Sequence, residues 1–188
     1  MTTHYVDLTV VPDAETGVPA LLGTLYDKFH RTVVRQQGDA IGVSFPQYSV
    51  LPRDLGSTLR LHGTDSVLRT FLAEDWLRGV RDHVRRSDIA AAPDGAAHRL
   101  VQRRQFKSNV ERMRRRRMQR KGETKEQATR AIPDSAAEKP NLPYVHLRSL
   151  STGQPFCLFI ALGPLQTAPT PGTFNTYGLG HGATIPWF

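Results

Sequence analysis

The chain has 188 residues, a net charge of +8, a sequence pI near 10.1 and 39% hydrophobic residues. This length fits one or two small domains, and the hydrophobic content is enough for a core in each, which excludes a disordered chain. The basic balance points to a polyanionic partner, and the absence of a signal-peptide pattern or an apolar run of about 18 residues predicts a cytoplasmic protein with no membrane partner.

The first third of the chain begins with the patterns of a strand and a helix. Hydrophobic and polar residues alternate over 4–11, which is typical of a half-buried strand. From Gly17 to about Val34, apolar residues recur at helical spacing, which predicts a helix with one core face. The apolar positions of that face are Val18, Leu21, Leu22, Leu25, Phe29 and Val33.

The next segment predicts two strands, a helix and a further strand. Short strands are expected at 42–45 and 58–62, separated by prolines. Asp65 or Ser66 should cap a second helical region whose apolar positions continue to Val80, with a break near Asp75 left open, and a weak strand follows near residue 89. The order strand, helix, strand, strand, helix, strand is that of a ferredoxin-like sandwich, in which two helices cover one face of an antiparallel sheet.

A run of small residues, AAAPDGAA at 90–97, predicts a linker. We therefore expect an α+β protein with a ferredoxin-like domain over 1–92 and a second α+β domain over 98–188. In that second domain, strand patterns at 144–150 and 155–162 flank a Gly-containing turn, which predicts a β-hairpin. A short helix with a capping box is expected from about Thr124.

Positive charge is concentrated between Arg99 and Arg130, where thirteen Lys or Arg and three Glu give +10, so the remainder carries −2. Ser108 and Glu111 have the spacing of a capping box, which predicts an arginine-rich helix over 108–121. One face of this helix forms a polar stripe, called here the arginine stripe. Its members are Arg112, Arg115, Arg116, Gln119 and Arg120.

A charge run of this kind is often only a solvated face or a disordered arm. Here, however, five arginines occupy six positions at 112–117, and their mutual repulsion destabilises a helix unless an anion with regularly spaced charges neutralises them. Nucleic acid is such an anion. The arginine stripe therefore indicates a nucleic-acid-binding helix.

Common cofactor motifs are missing from the sequence. It contains no CxxC pair, HExxH, GxxxxGK[ST] or GxGxxG pattern, which excludes the commonest zinc, P-loop and dinucleotide sites. We expect neither a metal nor another cofactor. The single cysteine, Cys157, cannot form an internal disulfide and is predicted to be a buried thiol in a reducing compartment.

Six short motifs occur in a fixed order along nearly the whole chain: DKFH at 27–30, IGVSFP at 41–46, KSNxERxRRR from Lys107, LRSxSTGQxF at 147–156, YGL from Tyr177 and the terminal PWF. In these motifs and their order, the chain resembles the type I-F CRISPR repeat-processing endoribonucleases. These enzymes cut precursor CRISPR RNA beside a repeat hairpin and stay bound to the product. The resemblance implies a ferredoxin-like N-terminal domain and a C-terminal domain with an arginine-rich helix. Both agree with the patterns above.

The resemblance implies that His30 and Ser149 are catalytic and that Tyr177 orients His30. Metal-free RNA cleavage needs the ribose 2′-OH to lose its proton, and a neutral histidine with a pKa near ~6.5 suits that transfer. A serine can fix the 2′-OH by a hydrogen bond. The expected products are a 2′,3′-cyclic phosphate and a 5′-OH. Without the resemblance, each residue would be interpreted as structural.

The resemblance also implies a set of RNA contacts. Arg103 and Gln105 would read guanine and adenine edges, and Phe156 would stack on the terminal base pair of the stem, although Phe156 alone would be interpreted as hairpin core. Gln119 stands where another arginine is expected, which should weaken salt-dependent affinity slightly. The full predicted set is Arg103, Gln105, Lys107, Ser108, Arg112, Arg115, Arg116, Gln119, Arg120, Ser151 and Phe156.

The predicted function is metal-independent cleavage of precursor CRISPR RNA at the base of the repeat hairpin. The expected partners are that hairpin, kept as the 3′ handle of the crRNA, and the other subunits of a type I-F crRNA-guided surveillance complex. Two alternatives stay open. One is a non-catalytic hairpin-RNA-binding subunit of the same architecture, and the other is a DNA-binding regulator with its basic helix in a B-form major groove.

Overall fold

The computed structural model describes residues 2–107 and 109–188. Two short segments, Arg81–His83 and Asp134–Ala136, are 3₁₀ helices and are not given labels here. In chain order the other elements are β1 (His4–Val10), α1 (Val18–Gln36), β2 (Gly42–Ser44), β3 (Ser49–Val50), β4 (Arg53–Asp54), β5 (Thr58–Gly63), α2 (Asp65–Leu72), β6 (Val84–Arg86), β7 (Ala90–Ala91), β8 (Ala97–Arg104), α3 (Val110–Lys121), α4 (Lys125–Ala131), β9 (Tyr144–Arg148), β10 (Pro155–Gln166) and β11 (Ile185–Trp187). The predicted α+β class is confirmed.

The chain divides into two compact units. The first unit comprises Met1–Arg104 and Leu142–Phe188, and the second comprises Gln105–Asn141. These bounds differ from the predicted domains 1–92 and 98–188, which stay a prediction. Because β8, β9, β10 and β11 belong to the first unit, this unit contains both of the larger sheets.

The first sheet is antiparallel, in the order β2-β5-β1-β6, and β7 also pairs with β1. Leu8 of β1 faces Leu59 of β5 across the ladder, and both are fully buried. Because side chains alternate along a strand, Val6 and Val10 face the same side as Leu8 and are buried with it. The elements of this half occur in the predicted order strand, helix, strand, strand, helix, strand, with the β3–β4 hairpin inserted.

The second sheet is antiparallel, in the order β11-β8-β10-β9. Its inward residues Leu158 and Ile160 are fully buried and belong to the same hydrophobic cluster as the residues of the first sheet. Helix α1 packs closely on β9, since a Cβ at Gly23 would lie 2.9 Å from the carbonyl oxygen of His146. The first unit therefore has one continuous core, to which α1 and both sheets contribute.

Several boundaries differ from the predictions. The segment 90–97 is not a linker, because Ala90 and Ala91 pair with β1 and Ala97 begins β8. The strand expected near residue 89 is divided between β6 and β7. Strand β8 itself was not predicted, because the polar residues of AHRLVQRR obscure the alternation of a half-buried strand.

The second helix also differs from the prediction. Helix α2 begins after Thr64, whose hydroxyl accepts a hydrogen bond from Val67 N, so neither Asp65 nor Ser66 is its N-cap. The helix ends at Leu72, close to the break that the sequence leaves open near Asp75, and Val80 is buried by the turns that follow.

The predicted environment of the cysteine differs as well. Cys157 is half-buried rather than buried, because it lies on the outer face of β10 opposite His146. Its Sγ atom is 3.7 Å from the His146 Nδ1 atom. Partial burial raises the pKa of the Cys157 thiol.

The second unit consists of α3 and α4 with their connections. Helix α3 begins after Asn109, whose Oδ1 accepts from Arg112 N at 2.8 Å, whereas the predicted cap Ser108 lies outside the described residues. Helix α4 has the predicted capping box between Thr124 and Gln127. In the described part of the chain, no helix is long and apolar enough to cross a membrane.

Two of the five clustered arginines stabilise this unit. Arg114 is only 7% exposed and donates to the Ile132 carbonyl at 2.9 Å, to Glu111 at 2.7 Å and to Asp134 at 2.9 Å. These bonds tie α3 to the end of α4. Arg117 makes two bonds to Glu123, at 2.6 and 3.0 Å.

His62 is a fully buried histidine in the first sheet. Its Nε2 atom lies 2.8 Å from Ser44 Oγ, and within the described residues its Nδ1 atom has no hydrogen-bond partner. Burial, together with the Arg60 charge, lowers the pKa of His62 from 6.5 to about 3. In the unfolded chain His62 is protonated below about pH 6.5, whereas in the folded chain it stays neutral down to about pH 3. The free energy of unfolding therefore decreases as the pH falls through this range.

We predict that His62→Gln makes the unfolding free energy less dependent on pH between pH 6 and pH 4. The slope of the unfolding free energy against pH should fall by up to about 1.4 kcal/mol per pH unit, which is the contribution of one proton taken up on unfolding. Urea denaturation at pH 7, 6, 5 and 4 measures this difference. His146→Gln, at an exposed histidine, is the control, and an equal slope in all three proteins would contradict the prediction.

Candidate functional site

His30 lies in the C-terminal half of α1 and is 7% exposed. Its Nδ1 atom is 2.9 Å from the carbonyl oxygen of Thr176. Because a carbonyl oxygen can only accept, Nδ1 must carry the proton, and in the neutral ring Nε2 then has the free lone pair. The fold therefore selects the tautomer that can accept a proton at Nε2.

Tyr177 holds the plane of the imidazole. Its ring is stacked on that of His30, with centroids 3.8 Å apart and an interplanar angle of 10°. The Tyr177 backbone is fixed in turn, since the Tyr26 hydroxyl donates to the Tyr177 carbonyl oxygen at 2.6 Å. Stacking and the Thr176 bond together restrict rotation of the imidazole.

Residues 174–180, called here the site loop, are held by hydrogen bonds from their backbone N–H groups. Asn175 Oδ1 accepts from Tyr177 N at 2.8 Å and from Leu179 N at 3.2 Å. Gly178 has φ +69°, and a Cβ there would lie 2.6 Å from Val43 Cγ1. Only glycine therefore fits this position, which explains the central residue of the YGL motif.

The electrostatic environment keeps both rings neutral near pH 7. Burial lowers the pKa of His30, while the Thr176 carbonyl and the Asp27 charge act in the opposite direction. Burial raises the pKa of the Tyr177 hydroxyl. His30 can therefore accept a proton at neutral pH.

Phe156 and Arg103 extend the site beyond Tyr177. The Phe156 ring on β10 meets the Tyr177 ring edge-on, with centroids 6.5 Å apart at 80°. The Arg103 guanidinium lies 5.6 Å from the Phe156 ring centroid. His30, Tyr177, Phe156 and Arg103 thus form one continuous row of contacts, called here the aromatic row, in which Arg103 is exposed.

Ser149 directly follows β9 and occupies the turn of the predicted hairpin. Its N–H donates to Gln154 O at 2.9 Å, so it forms the last rung of the hairpin. Its Oγ accepts from Thr152 N at 3.3 Å and is 3.1 Å from Ser151 Oγ. The Ser149 hydroxyl is thereby positioned by its own turn, with Ser151 as its neighbour.

The direction of α1 relative to β9 determines which end of the hairpin approaches His30. Gly23, near the start of α1, contacts His146 on β9. Phe156, opposite Leu147 in the hairpin, contacts the Tyr177 ring that stacks on His30. We infer from these contacts that helix α1 and strand β9 run in the same direction.

The distances along the two elements match. The seven residues from Gly23 to His30 rise about 10.5 Å along a helix. The three residues from His146 to Ser149 span about 10 Å along a strand. Ser149 also shares a face with Leu147, two residues earlier, because strand side chains alternate. We infer that Ser149 lies at the level of His30, on the face of the hairpin that carries the aromatic row.

The arginine stripe lies on the exposed face of α3. Each of its five members is exposed, and within the described residues none of its four arginines forms an ion pair with a carboxylate. Arg114 and Arg117 are different, because each is bound by carboxylates of the same unit. The charge of the stripe is therefore available to an anion.

The remaining predicted residues of the second unit lie before α3. The side chains of Gln105 and Lys107 are exposed. The Lys107 N–H donates to Glu138 Oε2, and the Lys107 carbonyl oxygen accepts from the Glu138 N–H, each at 3.2 Å. Ser108 lies outside the described residues, so its predicted RNA contact has no structural description.

Sequence reasoning missed three residues that hold His30 in place: Thr176, Asn175 and Tyr26. Thr176 contributes a backbone carbonyl, which leaves no side-chain signal. Tyr26 lies four residues before His30, and this spacing places both on one face of a helix, a signal that could have been used. Asn175 before a glycine-containing segment is a turn signal of the same kind.

The family model described as "CRISPR-associated protein (Cas_Csy4)" matches residues 5–188. A "CRISPR-associated endonuclease Cas6/Csy4" of Pseudomonas aeruginosa (strain UCBPP-PA14) is 45% identical over 185 residues, covering 98% of this chain and 99% of that protein. A protein of the same name from Escherichia coli (strain UTI89 / UPEC) is 40% identical over 186 residues, with coverages of 98% and 99%.

A solved structure titled "An RAMP protein binding different RNA substrates" covers 99% of both chains, with 12% identity and a TM-score of 0.34, a likeness too small to support any conclusion. The family model and the two relatives, in contrast, each extend over nearly the whole chain. The chain therefore belongs to the Cas_Csy4 family of CRISPR-associated proteins.

Proposed function

We propose that this protein is a metal-independent endoribonuclease that cleaves precursor CRISPR RNA at the base of the repeat hairpin. Its family membership and the endonuclease names of both relatives support this function. The observation that carries the proposal is the bond from His30 Nδ1 to the Thr176 carbonyl, which leaves Nε2 free to accept a proton.

The reaction begins at the ribose 2′-OH next to the scissile phosphate. His30 Nε2 accepts the proton of this hydroxyl, and the 2′ oxygen attacks the adjacent phosphorus. The bond from phosphorus to the 5′ oxygen then breaks, this oxygen takes up a proton from solvent water, and His30 returns its extra proton to the solvent. The products are a 2′,3′-cyclic phosphate and a 5′-OH.

Ser149 and Tyr177 contribute by positioning. The Ser149 hydroxyl, held by its own turn, hydrogen-bonds the 2′-OH and aligns it with phosphorus. Tyr177 keeps the imidazole plane fixed while His30 gains its charge, and the Thr176 carbonyl stabilises the Nδ1–H of the resulting imidazolium. Both contributions lower the barrier without adding a base.

RNA recognition uses the arginine stripe and three further side chains, Arg103, Gln105 and Phe156. The exposed arginines of the arginine stripe neutralise the stem phosphates, and Arg103 and Gln105 read a guanine and an adenine edge. Phe156, half-buried in the aromatic row, stacks on the last base pair of the stem. Bound in this way, the hairpin stays on the protein as the 3′ handle of the crRNA within a type I-F surveillance complex.

We predict that the protein cuts hairpin RNA in EDTA and that a 2′-deoxy nucleotide just upstream of the scissile phosphate abolishes cutting but not binding. His30→Ala should slow single-turnover cleavage by about 10² to 10⁴, because it removes proton transfer. Ser149→Ala should also slow single-turnover cleavage.

The cleavage rate should also depend on pH. Because burial lowers the pKa of His30 from 6.5, the rate should stay high until the pH falls below 6.5. Gel analysis of labelled RNA measures each rate.

His146→Ala, which removes an exposed histidine of β9, is the matched control and should cut at the native rate. Cleavage of the deoxy substrate, or a metal requirement, would exclude this chemistry. Hairpin binding without cutting by the native chain would favour the non-catalytic RNA-binding subunit. Preference for duplex DNA in competition would favour the DNA-binding regulator.

A second prediction concerns the arginine stripe. Arg115→Ala combined with Arg116→Ala should flatten the salt dependence of hairpin binding, by up to about 0.7 to 0.9 in log–log slope for each lost phosphate contact. Filter binding at several salt concentrations measures this slope. The control is Arg117→Ala, because Glu123 holds that guanidinium. An unchanged slope in the double variant would remove α3 from the RNA interface.

A third prediction concerns sequence readout. Arg103→Ala or Gln105→Ala should cost about 1 to 3 kcal/mol of binding free energy on the cognate stem and relax the preference at one base pair each. Affinity for scrambled stems should change less. Gln102→Ala, at an exposed neighbour, is the control. Equal losses on cognate and scrambled stems would identify both residues as phosphate contacts instead.

A further inference from the structure

We propose that Asp27 is a positioning residue that stabilises the imidazolium form of His30 during RNA cleavage, an inference that rests on the proposed function. Asp27 lies three residues before His30 on α1, and residues at this spacing are neighbours on one face of a helix. Its role is electrostatic. The proton of the 2′-OH goes to His30 Nε2, and Asp27 neither gains nor loses one.

The surroundings of Asp27 are unusual for a helix-surface carboxylate. Its Oδ2 accepts from Arg31 Nε at 2.6 Å, but its Oδ1 is buried and has no hydrogen-bond partner within the described residues. The Asp27 side chain is 24% exposed, against 49% for Arg31. Burying an unpaired carboxylate oxygen costs free energy, so this atom needs an explanation that the salt bridge to Arg31 does not give.

The charge of Asp27 acts on both rings of the site. It raises the pKa of His30 against the larger effect of burial, and it also raises the pKa of the Tyr177 hydroxyl. Arg31 acts on His30 in the opposite direction. From the site loop, the Thr176 carbonyl also raises the pKa of His30, and from β8 the Arg103 charge lowers that of Tyr177.

This arrangement matters for catalysis because a buried imidazole gains a positive charge in the reaction. Burial favours the neutral ring that starts the reaction but disfavours the charged ring that follows. A nearby carboxylate lowers the free energy of the charged ring without taking part in proton transfer. Asp27 therefore offsets part of the cost of burial, and Arg31 limits this effect by pairing with Oδ2.

The competing interpretation is a salt bridge between neighbouring helical residues with no influence on the site. Two variants distinguish the interpretations, because Asp27→Asn and Arg31→Gln break the same ion pair. A purely structural pair predicts similar small losses of stability in both. Our proposal predicts opposite changes in the pH dependence of His30.

The test measures single-turnover cleavage of hairpin RNA by the full chain from pH 4.5 to 8.5, together with an NMR titration of His30 without RNA. Asp27→Asn should lower both acid midpoints by about half a pH unit, so cleavage below the midpoint should be up to about threefold faster because more His30 is neutral. The plateau rate at higher pH should fall, because the imidazolium formed in the reaction is less stabilised. Arg31→Gln should raise them. Asp27→Glu should restore the native midpoint.

Midpoints that do not move, or that move in the same direction in both variants while the native chain cuts RNA, would overturn the role of Asp27. A native chain that binds the hairpin but never cuts it would overturn the proposed function, and the catalytic role of Asp27 with it. The NMR titration separates the two failures, because it reports the protonation of His30 whether or not RNA is cleaved.

Discussion

The hydrogen bond from His30 Nδ1 to the Thr176 carbonyl is the interaction on which the candidate site depends. It joins a helix near the start of the chain to a loop 146 residues later. The bond selects the histidine tautomer, and the same loop supplies the Tyr177 ring that stacks on it. Helix α1, which carries His30, packs into the core that both sheets share.

The sequence predicts elements with regular periodicity and misses those without it. Helix α1 and the β9–β10 hairpin were predicted because their apolar residues repeat at helical or strand spacing. Strand β8 was missed although it pairs on both sides, because its ladder bonds come from the backbone while several of its side chains are charged. The three residues of β11 are too few to form a pattern.

The same distinction applies to the candidate site, where the sequence shows the residue types but not their arrangement. His30, Ser149 and Tyr177 were found only because short motifs resemble a known family, since a helical histidine, a turn serine and a loop tyrosine each have ordinary structural uses. Their mutual arrangement depends on a backbone carbonyl, a ring stack and the register of a hairpin. None of these can be read from residue types. The five clustered arginines look equivalent in sequence, but carboxylates bind Arg114 and Arg117, whereas the arginines of the stripe form no ion pair with any carboxylate that the structure describes.

The site loop has a consequence for how this site changes in evolution. Thr176 touches His30 through its carbonyl oxygen, and every amino acid has a carbonyl oxygen. Many side chains could therefore replace threonine without loss of the bond, whereas Gly178, which contacts no substrate in this scheme, allows no other residue. Among related sequences, we therefore expect substitutions at Thr176, which contacts His30 directly, and none at Gly178, two residues later. Invariance would then mark the constraints of the backbone and not the chemistry.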